Sequence, residues 1–126
     1  MEPARDFRDL VVWQRSQSLM ASAYALARRL PREERFELAS QVRRAAASVS
    51  ANIAEGHSRR HRREFLQFLH VAKGSLKELD SHLLGAVAVG HLHQEDIADA
   101  FALSGEVGRM LTAMIRTLSA GRPPTR

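Results

Sequence analysis

A chain of 126 residues without cysteine, 44% apolar and 26% charged, has enough length and hydrophobic content for one domain with its own core. Disulfides and thiolate–zinc sites are excluded, and so is a disordered composition. No apolar run approaches the ~20 residues that span a bilayer, and MEPARDFRDL carries charge where a signal peptide would be apolar; the expectation is a soluble cytoplasmic protein. Net charge is +5, from 19 basic and 14 acidic residues, and 17 of the basic ones are arginine. Residues 1–77 carry +7 and residues 78–126 carry −2. Arginine at this density suits bidentate pairing with phosphate or carboxylate, so the basic half points to a polyanionic or acidic partner. A solvated helical surface in an arginine-preferring organism is the plain alternative.

Taken in chain order, apolar and small residues recur at steps of three and four. The first segment runs Val12, Ser16, Leu19, Ala23, Leu26, Leu30, and the second Leu38, Val42, Ala45, Val49, Ile53. The third runs Phe65, Phe68, Ala72, Leu79, Leu83, Ala86, and the fourth Ile97, Phe101, Ser104, Gly108, Leu111, Ile115, Leu118. Each spacing predicts a helix with one buried seam, and no stretch alternates as a strand does. Pro31, followed by Glu33 and Glu34, is expected in the first turn of the second helix, and Gly56 and Gly90 as left-handed C-caps. Short links near residues 31, 57–60 and 90–94 make neighbouring helices antiparallel. The fold class is all-α, an up-down-up-down four-helix bundle over residues 1–120, with a frayed tail at 121–126. A second apolar stripe on the fourth helix, Leu103, Val107, Met110 and Met114, suggests either self-association or a wide core stripe. Trp13 is most simply a core or interface anchor.

The second helix is the unusual one. Beside its core seam, Gln41, Arg44, Ser48, Asn52 and Glu55 form a polar stripe within about 80° of arc. Arg43, Ala47, Ser50 and Ala54 make the far side small rather than charged. Small residues all round let neighbouring backbones come close, as in the centre of an assembly. The polar stripe then lines a buried or pore-like boundary, or else fixes helix register at a bundle edge.

The stretch HSRRHRREF packs Arg59, Arg60, Arg62 and Arg63 into five residues, and 57–77 holds six basic side chains and one acidic. Crowded guanidinium groups repel one another, and phosphates between them relieve that repulsion. With no interleaved aromatics and no base-reading motif, salt-sensitive backbone binding of RNA or DNA is the expected form. A solvated linker and an acidic protein partner are the alternatives. His57, His61 and Glu64 have helical spacing, but the arginines would repel a dication, so no metal or other cofactor is expected. No nucleophile–base pair, paired carboxylates or phosphate-cradling loop is legible, so no enzyme is expected.

Three stretches carry a resemblance: FRDLVVWQ, LPREERFELASQVRRAAASVSANIAEG and EFLQFLHVAKGSLKEL. Together they resemble the four-helix-bundle family named for 23S rRNA intervening-sequence proteins, from about Phe7 to Leu118. The densest motif runs from Gln41 through Arg43, Arg44, Ala45, Ser48 and Asn52 to Gly56. The resemblance implies the bundle fold and extends to accessory proteins of diversity-generating retroelements, which form pentamers that bind a reverse transcriptase and nucleic acid. It therefore implies a homo-oligomer, a pentamer by that analogy, with nucleic acid and a larger protein as partners. At His93 the chain departs from the resemblance, where many members have a better helix-capping residue such as serine.

Overall fold

The structure, a computed structural model, describes residues 5–124. It contains four α-helices: α1 (Val11–Arg29), α2 (Leu38–His57), α3 (Arg62–Ala88) and α4 (Gln94–Ser119). Short 3-10 turns at Phe7–Asp9 and Arg32–Glu34 precede α1 and α2. Helices in contact are α1 with α2, α2 with α3, α3 with α4, and α4 with α1, so the bundle has four corners. Cross-helix partners set the directions. Ser48 meets Ser75 while Gly56 faces Phe65 and Phe68, which makes α2 and α3 antiparallel. Arg15 pairs with Glu106 and Arg29 with Asp96, which does the same for α1 and α4.

The three-four periodicity lies at the centre. Leu19, Val42, Val49, Ile53, Leu69, Leu79, Leu83, Ile97 and Leu111 are fully buried. Each such side chain contributes roughly 1.5–3 kcal/mol of transfer free energy, and that outweighs the small-residue gaps between them. The second stripe of α4 joins this core: Val107 is buried, and Leu103, Met110 and Met114 pack against it. Trp13 is half-buried and meets the Phe7 ring edge-on at 5.0 Å.

Two expected boundaries need correction. Pro31 does not open α2; it precedes the 3-10 turn, and α2 starts at Leu38. Glu34 explains the separate turn, because its carboxylate accepts from the Leu38 N–H at 3.4 Å and from His91 at 2.8 Å. Nor is Gly56 a left-handed cap: its φ is not positive, and α2 continues through it to His57. Gly90 does take that role at φ +84°, with His91 N–H donating to Ala86 O and Gly90 N–H to Val87 O. Gly121, at φ +80°, closes α4 with the same bond pattern to Leu118 and Thr117. Of the expected tail, residues 125–126 lie outside the described residues. His93 is the extended N-cap of α4, and its N–H donates to Asp96 at 2.7 Å.

The α1–α4 seam is electrostatically tuned. Hydrogen bonding from Arg15 holds the Glu106 carboxyl below its ordinary value. The His93 N–H, then Arg29, do the same for Asp96. Depressed carboxyls stabilise the folded state above their unfolded values and lose that contribution as pH falls through the folded ones. The melting temperature should be flat near neutrality and fall as pH drops below about 4. Glu106→Gln and Asp96→Asn should flatten that fall, as read by thermal melts across pH; an unaltered acid limb in the double variant would assign it elsewhere.

Candidate nucleic-acid interface

Because the helices alternate in direction, the α2–α3 link, the start of α1 and the end of α4 share one end of the bundle. At that end α2 closes without a left-handed residue: Ser58 N–H donates to Ala54 O, its hydroxyl to Glu55 O, and Arg59 N–H to Gly56 O. Gly56 is buried because α3 crosses it at close range. A Cβ there would lie 2.8 Å from Phe68 Cβ and 2.9 Å from Phe65 Cδ1. This approach holds the turn in place and throws the following side chains outward.

Arg59, Arg60, His61, Arg62 and Arg63 are all exposed. Arg59 is tied inward, pairing with Glu55 and, at 4.0 Å, with Glu64, and lying 4.9 Å over the Phe68 ring. Among the described residues, Arg60, Arg62 and Arg63 have no carboxylate within 4.0 Å. Arg59, Arg60 and Arg62 line a cavity of about 340 Å³ together with Arg122, from beyond α4. Around the flank, Arg62 and Arg63 line a second cavity of about 540 Å³ with Gln67, His70 and Ser119. Arg122 was missed in the sequence because it belongs to the half with net negative charge. Arg109 and Arg116, seven residues apart on α4, were missed for the same reason, though antiparallel register places them beside Lys73 and Lys77. Their spacing was the available signal.

Arg43 and Arg44 are not part of this end. They stand near the start of α2, roughly 22 Å along the helix axis from the loop arginines. Arg43 is half-buried and donates to Arg35 O at 3.2 Å, within a separate group that includes Arg28 and Arg32; Arg44 is exposed.

The polar stripe divides. Ser48 and Asn52 are half-buried and bind each other and α3: Ser48 Oγ lies 2.8 Å from Ser75 Oγ, and Asn52 Nδ2 donates to Ser48 O and Oγ at 2.7 and 3.0 Å. Gln41 and Glu55 are exposed, and Glu55 is the partner of Arg59. On the small side of α2, Ser50 is buried and Ala47 and Ala54 are half-buried. His57 ends α2, its ring edge-on to Phe65 at 5.8 Å, while His61 lies in the link, so the two share no helical face. Among the described residues no three His, Asp or Glu side chains converge as a metal site would need, and no helix is long and apolar enough to cross a membrane.

An antiparallel four-helix bundle with one arginine-rich end is the class these features define. The family model for 23S rRNA-intervening sequence proteins matches residues 8–113, and the chain belongs to that family. Its fold is similar to the crystal structure of a protein of unknown function from the S23 ribosomal protein family of Bacteroides thetaiotaomicron VPI-5482. The TM-score is 0.77 at 23% identity, over 84% of this chain and 99% of the other. No curated protein matches the chain.

Proposed function

We propose that this protein is a non-catalytic, homo-oligomeric bundle of the cytoplasm that holds RNA or DNA by its backbone, as an accessory to a larger complex. The observation that carries this is the convergence of Arg60 and Arg62 with Arg122 at one end of the bundle, and of Arg63 with Arg62 on its flank, Arg60, Arg62 and Arg63 being free of carboxylate partners among the described residues. Uncompensated guanidinium groups held together by the fold favour a ligand with closely spaced negative charges. Ser48, the hydroxyl nearest to a polar constellation on α2, is engaged with Ser75 and Asn52, which suits a structural role. Self-association has its own support on α3, where Val71 and Leu84 are exposed beside Gly74 and Ser81. Small residues there permit close helix contact, and a pentamer is the ring that the family resemblance implies.

Titrating salt against binding to random-sequence RNA and DNA tests the nucleic-acid role. Affinity should fall linearly on a log–log plot, with a slope of several phosphate contacts. Absence of binding at low salt would sink it and leave an acidic protein as the partner for these arginines. Light scattering should return a multiple of the 14.1 kDa chain mass, and a monomer at high concentration would refute the oligomer.

A further inference from the structure

A groove of about 500 Å³ runs between α3 and α4. Lys73 and Lys77 line it from α3, Arg109 and Arg116 from α4, and Asp80 stands toward the end away from the arginine-rich link. Gly105 and Gly108 also line it. Neither has a positive φ, and neither is forced by close packing. A Cβ on Gly105 would meet only the tip of Arg109, at 3.3 Å, and one on Gly108 would lie in ordinary contact with Leu76, at 3.7 Å. Glycine inside a helix is unfavourable without such a reason, and here its effect is to keep the groove open.

Asp80 is the unexpected member. Among the described residues, its buried Oδ1 has no hydrogen-bond partner and no cation comes within 4.0 Å of its carboxylate. A carboxylate among four cations weakens phosphate binding, and a buried oxygen without a donor is costly. The repulsion remains, whereas the missing donor is supplied if the ligand brings a hydroxyl beside its phosphates and the carboxylate turns Oδ1 toward the groove that Asp80 lines. A ribose 2′-hydroxyl is such a donor, and DNA lacks it. The cations also continue past His70 to Arg63 and Arg62 in the adjoining cavity. From Arg62 to Asp80 the path covers roughly 27 Å of helix, which suits an extended strand better than one nucleotide. A crevice between helices whose axes are about 8–10 Å apart is too narrow for an A-form duplex.

Resting on the nucleic-acid function above, we propose that the α3–α4 groove seats single-stranded RNA, its cations on phosphates and Asp80 accepting a ribose 2′-hydroxyl, so that RNA is held in preference to DNA. The probes are oligouridine and oligodeoxyuridine of equal length, which differ only in that hydroxyl. Wild-type protein should bind the ribose strand about tenfold tighter at fixed salt. Asp80→Leu should bring the two affinities within about twofold of each other, with binding of the deoxy strand unchanged or tighter because a negative charge has gone. A purely electrostatic role for Asp80 would shift both strands alike and leave the ratio intact, which overturns the assignment. Asp80→Asn keeps the shape with a neutral acceptor and should lower the ratio at least about threefold, so the test stands even if the leucine variant fails to fold. Wild-type protein that binds both strands equally overturns the role of Asp80 alone. Protein that binds neither at low salt overturns the nucleic-acid function as well.

Discussion

Gly56→Ala should destabilise the fold by about 1–3 kcal/mol, although alanine is the better helix former. Propensity alone would make the change favourable by roughly 0.5–1 kcal/mol. Packing decides the sign, because the new methyl would lie 2.8 Å from Phe68 Cβ and 3.3 Å from Phe65 O, atoms fixed to the α3 backbone. Neither can swing aside as a side-chain tip can, so α2 and α3 must separate where the basic link begins. Gly85→Ala is the matched control, with nothing within 4 Å of the added carbon. It should stabilise by roughly 0.5–1 kcal/mol. Urea denaturation of the two variants reads all of this, and a Gly56→Ala protein as stable as wild type would show that the helices do not approach so closely.

Replacing Arg60, Arg62 and Arg63 together with alanine should reduce the salt slope of nucleic-acid binding by about 2–3 units, at 0.7–0.9 per lost phosphate contact. Arg59 is left in place because its pairs with Glu55 and Glu64 and its contact with Phe68 give it a part in holding the link. Arg43→Ala with Arg44→Ala is the comparison, since those side chains belong to the opposite end. The double variant should keep the wild-type slope. If it loses slope and the triple variant does not, the binding face has been placed at the wrong end.

The seams of all four helices, their antiparallel order and the left-handed Gly90 were legible in the sequence, because each rests on local chemistry that repeats along the chain. Pro31 and Gly56 were misread for one reason. Proline and glycine signal a break but not its cause: Glu34 builds a separate turn by reaching His91, and Gly56 answers to Phe65 and Phe68 on another helix. Such partners are invisible until the helices are assembled. Charge was misleading in the same way. Summing along the chain grouped Arg43 and Arg44 with the loop arginines and set Arg109, Arg116 and Arg122 apart, whereas antiparallel register puts Arg122 with the loop arginines, Arg109 and Arg116 beside Lys73 and Lys77, and Arg43 with Arg28, Arg32 and Arg35. The polar stripe of α2 was visible as a stripe, yet only the structure shows Ser48 turned to Ser75 of α3, Asn52 bound to Ser48, and Gln41 and Glu55 left in solvent.

The alternation of helix direction also governs the field at the arginine-rich end. There α1 and α3 begin, with the partial positive charge of their free amides, while α2 and α4 finish with the partial negative charge of their carbonyls. These four poles cancel to first order, so backbone dipoles neither assist nor oppose an anion approaching the end as a whole. The attraction comes from the side chains, whose guanidinium groups project from the link and from beyond α4. The strength of this surface is therefore set by side-chain charge and its screening by salt, and not by how the helices begin and end.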